Sequence, residues 1–535
     1  MVVPFILVAG VHGQAQDLTY TYIDLGINKG GQPNNTEFYD HSLLFNETEQ
    51  DLKQQVLFRI NDRGRVAGWV TRSVIGVGSV PIAATWLYDA RRNALEFQEL
   101  SELPDASNRS RSWATAISER GVIAGMTALP GEVFGDDYHA NATVWKQEGA
   151  GWSQLDLALG QDPEAGGESG AFDITDIVSD GQFHVAVCGG VDRPRCSPNV
   201  DEQGLRSFRF TTNDESLNVI EPGDTLRYQY ATSFLDDDIL HSGGAAVGPG
   251  IYASHPKKPC TLQEYPAYCC HTKRSRSYLL DFESSEDVDM RYLEENTICS
   301  KTYPSWDINS DFERAAMAGH SVGHLRDNLE SNVVNGPCVL RATHRATPTS
   351  FPEILPLLPV LGGGEQAEQH TRALGIGLGH EGTLQATGFS VLSGFWQTAV
   401  LWNQEPGGTW EDINLQGVLE EGRIDINGLD DELNPGTLEL ITAHDVNRNG
   451  WIVGIARVNP QNSSVQLTRP FLLIPDTCPL PPCPGDFNGD GMVDGDDISA
   501  LLGAWGTSLV DTDLNCDGET NSMDLAILLG NWGPC

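Results

Sequence analysis

The chain has 535 residues, with 74 Asp and Glu against 33 Lys and Arg, a formal net charge of −41. A surface that acidic repels phosphate backbones, which argues against nucleic acid as a partner and disfavours anionic membrane surfaces. Hydrophobic residues make up 40% of the chain, which excludes wholesale disorder; 57 Gly and 29 Pro point to many turns and short strands, and the length points to more than one domain.

Residues 1–15 read as a secretory signal, with an apolar run from Val2 to Val11 followed by Gly13-Gln14-Ala15 at the cleavage position. A basic leading segment is missing, and a buried N-terminal strand is the alternative. No later stretch reaches the roughly 18 apolar residues of a membrane span. The expected product is a secreted, extracellular or cell-surface bacterial protein without a membrane span. Eleven cysteines, several in tight sets (Cys188 and Cys196, Cys269 and Cys270, Cys478 and Cys483), suit local disulfides in an oxidising compartment. Cys188 and Cys196 are expected to join across a short loop, since near neighbours need little closure entropy. Disulfides among Cys260, Cys269, Cys270, Cys299 and Cys338 would staple longer insertions. Cys260, Cys269, Cys270, His271 and Cys299 are alternatively a zinc set, although they form no pair of C-x2-C knuckles. The odd count leaves one thiol free or paired between chains.

Residues 17–474 carry a degenerate repeat. Its clear copies begin RINDRGRVAG (59–68), AISERGVIAG (116–125), IGLGHEG (376–382) and DVNRNGWIVG (445–454). Three of them continue into Ala83-Ala84-Thr85-Trp86, Ala142-Thr143-Val144-Trp145 and Ala399-Val400-Leu401-Trp402. A further strand follows, ending near Leu100 or running Trp152–Leu157 or Trp410–Ile413. Weaker copies fit around Gly181, Asp238 and Phe312, so that seven anchors stand at 64, 121, 181, 238, 312, 382 and 450. In each unit an Asn-x-x-Gly segment makes a tight turn, because Gly accepts positive φ and Asn tolerates it. Val-, Ile- and Trp-rich runs flank it as strands. Three or four antiparallel strands cannot bury both faces alone, so neighbouring units must pack.

The pattern resembles the HAF-type extracellular repeats, whose units read A-x-x-I-N-x-x-G-x-V-V-G, then A-F-x-W, then a D-L strand. The last unit stops at Ile474 without its D-L strand, while an orphan strand of that type, Tyr20 to Gly26, stands near the N-terminus. Pairing the two would complete the final unit and remove an exposed edge. The expected fold is mainly β: a seven-bladed β-propeller over 17–474, closed by Tyr20–Gly26 against Phe471–Ile474, with Trp86, Trp145 and Trp402 in equivalent core positions. An open solenoid is the rival.

A stiff proline-rich linker spans 475–484. The segment 485–535 carries ten Asp or Glu and no Lys or Arg, and it is duplicated at a period of 27. In each copy oxygen ligands stand at loop positions 1, 3, 5, 9 and 12, with Gly at 6, as a twelve-residue calcium loop demands. The first site would use Asp486, Asn488, Asp490, Asp494 and Asp497 with the Met492 carbonyl. The second would use Asp513, Asn515, Asp517, Asn521 and Asp524 with the Glu519 carbonyl. Ile498, Leu501 and Leu502, and likewise Leu525, Leu528 and Leu529, have the spacing of short amphipathic helices. Leu501, Leu502, Leu528 and Leu529 are expected to pack together, with Trp505 and Trp532 near the ends. The alternative is a disordered acidic linker.

This segment resembles a type I dockerin, two half EF-hands that each join a calcium loop to one helix. The resemblance implies a small all-α module that folds on binding two Ca2+ ions and attaches to a cohesin-like or cell-surface protein. Recognition positions 10 and 11 of the loops are Gly495-Asp496 and Ser522-Met523, which differ between the copies.

Catalytic signals in the body are sparse. His320 and His324 could share a metal only on a helix, and the glycines around them favour a loop. No G-x-S-x-G elbow occurs. Glu294-Glu295 and Asp236-Asp237-Asp238 read as solvated acidic loops. The leading expectation is a secreted binding or structural propeller, with a glycan as candidate ligand, carrying a calcium-dependent attachment module. The alternatives are a carbohydrate-active hydrolase or lyase of polysaccharide catabolism and a cell-envelope assembly protein.

Overall fold

The computed structural model describes residues 19–26, 57–74, 78–89, 94–100, 112–128, 140–149, 151–157, 169–179, 182–194, 203–212, 217–220, 226–229, 233–234, 245–253, 273–281, 286–289, 316–317, 320–327, 334–341, 353–354, 358–361, 371–378, 384–392, 396–404, 408–422, 424–425, 438–458, 467–475, 485–488, 492–506, 512, 514 and 520–534. The expected signal segment and residues 476–484 of the linker lie outside these residues.

The protein is mainly β. Among the described residues the strands form seven sheets of four or five strands, antiparallel except for one short parallel pairing, and one two-stranded ribbon. The first sheet is built from Arg59–Ile60, Arg65–Val74, Gly78–Asp89 and Ala94–Glu99 in that order; the second from Ser112–Ile117, Ile123–Ala128, Ala140–Glu148 and Gly151–Asp156. The third runs from Ser169–Ser179, the fourth from Leu226–Gln229 and Ser233–Phe234, the fifth from Ala316–Met317, the sixth from Arg372–Leu378 and the seventh from Leu438–Val446. The opening strand of each sheet touches the opening strand of the next, and that of the seventh touches that of the first.

The glycines of the repeat follow from this geometry. Gly64 has φ 76°, and any Cβ there would strike the Trp451 ring of the seventh sheet. In four units the second glycine faces a different constraint, whereas Gly68 of the first meets the Phe58 ring. The opening strands bulge between Ala114 and Ala116, Ala171 and Asp173, Ala373 and Gly375, and Leu440 and Thr442. Beside these bulges a Cβ on Gly125, Gly189, Gly388 or Gly454 would run into the opening strand's carbonyl oxygen. At the second sheet's bulge a side chain reaches the neighbouring sheet: Thr115 Oγ1 donates to the Ala171 carbonyl at 2.7 Å.

The turns interlock in sequence. Asn447 Nδ2 donates to the Asn61 carbonyl (3.0 Å), and Asn61 Nδ2 donates to the Ser118 carbonyl (3.0 Å). The Oδ1 atoms of the same residues accept from Trp451 and Arg65 N–H in their own turns, both at 2.9 Å. One amide thus shapes its turn and holds the next. The repeat's asparagine is an inter-sheet contact as well as a turn former.

The strand at the start of the chain completes the last sheet. Tyr20–Asp24 pairs antiparallel with Leu467–Pro475, from Tyr20 opposite Pro475 to Asp24 opposite Phe471, as expected from the orphan strand. Its other side is covered by a parallel pairing of Tyr20 and Thr21 with Ile424 and Asp425, so the added strand is not an edge. Trp86 Nε1 donates to the Leu25 carbonyl at 2.8 Å, tying this strand to the first sheet. Asp24 and Arg469 form a buried pair at 2.7 Å, and the Asp24 carboxylate also accepts from Gly26 N–H. Trp86, Trp145 and Trp402 are fully buried, as expected for equivalent positions.

Removing one member of a buried ion pair strands the other charge. Asp24→Ala should therefore cost about 3–5 kcal/mol in chemical denaturation. Adding Arg469→Met should recover most of the loss; no recovery would show that the cost lies elsewhere in the strand.

Candidate functional site

The C-terminal segment carries two short helices, Gly495–Gly503 and Ser522–Gly530, and a ribbon pairing Met492–Val493 with Gly533–Pro534. The ribbon is an addition to the all-α expectation. Asp494 caps the first helix, accepting from Asp496 N–H at 2.9 Å. Asp497 answers it: its Oδ2 accepts from Asp494 N–H (2.8 Å) and its Oδ1 from Phe487 N–H (2.8 Å). The second copy repeats the contact, with Asn521 N–H donating to Asp524 Oδ2 at 2.7 Å. Loop positions 9 and 12 are therefore joined in the same way in both copies.

Val493, Leu501, Leu514 and Leu528 form the core of the segment, with Phe487, Ile498, Leu525 and Ile527 packed against it. Leu502 and Leu529 depart from expectation and are half exposed. One residue along a helix is a rotation of about 100°, so Leu501 and Leu528 facing inward turn their successors out. Trp505 and Trp532 are exposed with them.

Of the expected calcium ligands, Asp486, Asn488, Met492, Asp494, Asp497, Asn521 and Asp524 are described; Asp490, Asp513, Asn515, Asp517 and Glu519 lie outside the described residues. Among the described residues no group of three or more His, Cys, Asp or Glu is disposed to hold a metal. The donor chemistry nevertheless fits calcium. Asp497 and Asp524 are 1% and 0% exposed, and the module has no Lys or Arg to balance them. Buried anions of that kind are what a hard divalent cation compensates.

In the body, His320 and His324 lie on the strand His320–Asp327, opposite Arg341 and Pro337. On a strand, positions i and i+4 stand roughly 13 Å apart, too far to share one ion. This corrects the loop expected there. Cys188 is buried in Gln182–Pro194, whereas Cys196 lies outside the described residues. So do Cys260, Cys269, Cys270, His271, Cys299, Glu294, Glu295, Asp236, Asp237 and Asp238. Cys338 sits on the strand Val334–Arg341.

A polar cluster absent from the sequence expectations joins the seventh, first and sixth sheets. Phe58 N–H donates to His444 Nδ1 at 3.1 Å, which leaves the proton on Nε2 to donate to Thr442 Oγ1 at 3.0 Å. Burial, and then the Arg59 charge, pushes the imidazole down to about 3, so it is neutral. Arg59 pairs with Asp445 at 3.4 Å and reaches the His444 and Leu374 carbonyls, while Asp445 accepts from Ile60 N–H. The cluster is saturated by protein groups and reads as an inter-sheet fastening. The His444-Asp445 pair directly before an Asn-x-x-Gly turn was its available signal.

No protein-family model matches the chain, and no curated protein matches it. Solved structures do align with it. The β-propeller domain of the Trilobed protease from Pyrococcus furiosus aligns at 10% identity and TM-score 0.35, over 78% of this chain and 92% of that one. The polysaccharide lyase Uly1 aligns at 10% and 0.38 over 86% and 98%, and Trypanosoma rangeli sialidase at 10% and 0.33 over 85% and 58%. At these TM-scores the likenesses carry no chemistry over to this chain.

Asp497→Ala removes the acceptor of two backbone amides and should cost the first helix about 1–2 kcal/mol, seen as lost helical circular dichroism. Asp496→Ala, on the exposed side of the same turn, should change little.

Proposed function

We propose that the chain is a secreted binding or structural β-propeller of seven blades that carries a calcium-dependent, dockerin-like attachment module. The propeller reading is supported by the succession of opening strands around seven sheets and by the N-terminal strand that completes the last one. The attachment reading is carried by the two buried carboxylates Asp497 and Asp524, 27 residues apart and held alike by the position-9 amide, in a segment without a basic residue.

In this reading Asp486, Asn488, Asp490, Asp494 and Asp497 hold one calcium ion, and Asp513, Asn515, Asp517, Asn521 and Asp524 hold the other. When bound, calcium supplies the positive charge that lets these oxygens converge. The chain's own residues do the rest: the capping carboxylates fix the start of each helix, and Leu501 and Leu528 join the helices. Met492, Leu502, Trp505, Leu529 and Trp532 are each 43–54% exposed, and exposed apolar side chains of this size favour a protein partner, a cohesin-like or cell-surface protein. The body faces the surroundings as the ligand-binding part, with a glycan as the candidate.

Calorimetric titration of the full chain should show about two calcium sites, and chelation should lower the helical signal of the C-terminal segment. Asp490→Ala should remove the first site and leave the second. A chain that takes up no calcium at millimolar concentration would contradict the attachment reading. A glycan array probed with and without calcium tests the ligand of the body separately.

A further inference from the structure

The turns that interlock the seventh, first and second sheets also bring carboxylates into file with the third. Arg448 N–H donates to Asp62 Oδ1 at 2.8 Å, Asp62 N–H to Glu119 Oε2 at 3.0 Å, and Arg120 N–H to Asp176 Oδ2 at 3.0 Å. Each acid accepts an amide from the preceding sheet, so three carboxylates on three consecutive sheets stand side by side along one rim. Glu119 faces Asp62 from the first sheet's turn, with Arg65 beside Gly121 of its own turn, and Arg63 of the first sheet's turn acts on Asp176. It also faces Asp176 from the third sheet, Arg120 beside it in sequence, and Arg448 from the seventh sheet. Arg448 lies against Asp62 at 3.3 Å, and Asp62 and Asp176 flank Glu119 with like charge. Burial is the largest cause raising all three carboxyls; Glu119 reaches about 8, with the Asp62 charge as its second cause.

We propose that Asp62, Glu119 and Asp176 act as one proton-responsive joint between the first three sheets: acidification neutralises a carboxyl in the file and relieves the repulsion between neighbours, and alkaline conditions set like charges against one another and loosen the contact. The sign follows from linkage. A folded-state carboxyl raised above its unfolded value binds a proton that the unfolded chain has released, so its stabilisation is lost as pH rises from about 4.5 toward about 8. Glu119 stands on an exposed turn, so water offsets part of the desolvation as well as part of the repulsion, and the effect on the whole chain is modest.

Glu119→Gln keeps an oxygen to accept the Asp62 amide while abolishing the charge. In the full chain at fixed calcium, its thermal midpoint should match the parent's at pH 5 and exceed it by about 2 °C or more at pH 8.5. Asp176→Asn should move in the same direction. In the parent itself, the Asp62 and Arg120 amides should lose hydrogen-exchange protection between pH 5 and 8.5, after correction for intrinsic rates. An offset between variant and parent that is the same at both pH values, or amide protection that does not change, overturns the proposal. The exchange measurement decides it if either variant fails to fold.

Discussion

The architecture depends on one side-chain amide used twice. A β-sheet of four short strands buries only one face, and the sheets of this body must be held to one another as firmly as the strands within them. Asn447 and Asn61 do so at the turns: each accepts from the N–H four residues on within its own turn and donates across to the next sheet. No aliphatic residue could do either, and aspartate could only accept. Ser118 keeps the intra-turn half of the arrangement, its Oγ accepting from Val122 N–H, and leaves the onward contact to carboxylates and the Thr115 hydroxyl.

These polar fastenings leave the apolar core free to be built of small residues. Ala67, Ala83, Ala84, Ala114, Ala124 and Ala142 are all fully buried, and Trp86, Trp145 and Trp402 are buried with them on the third strands. Trp145 packs in one cluster with Ala67, Ala83 and Ala114, so a single ring spans two sheets. On the outer face Arg65 lies over the Trp152 ring at 5.5 Å, a further contact between the same two sheets.

Much of this was legible in the sequence because a repeated unit announces its own periodicity. The turns at 61–64, 118–121 and 447–450, the tryptophans on the third strands and the missing strand supplied by Tyr20–Asp24 all follow from spacing and turn chemistry. Long-range polar pairs were not legible. Asp24 and Arg469 are 445 positions apart, and nothing local marks either as a partner of the other. The glycines around His320 suggest a loop, yet Gly323 lies within the strand, opposite Cys338; in an antiparallel pair glycine can be a strand residue as well as a turn former. In the C-terminal segment the loop spacing located the caps at Asp494 and Asp497, while the hydrophobic pattern overcounted the core, since adjacent leucines cannot both face inward on one helix.

Native-state hydrogen exchange tests the interlocking of the turns most directly. Turn amides of ordinary hairpins exchange by local opening well before the flanking strands. Here the N–H groups of Arg65 and Trp451, bound to Asn61 and Asn447, should exchange only with the opening that releases the Leu25 amide, just past the added strand, from Pro470. Exchange of the two turn amides through a separate opening, several kcal/mol easier than that of the strands, would contradict the account.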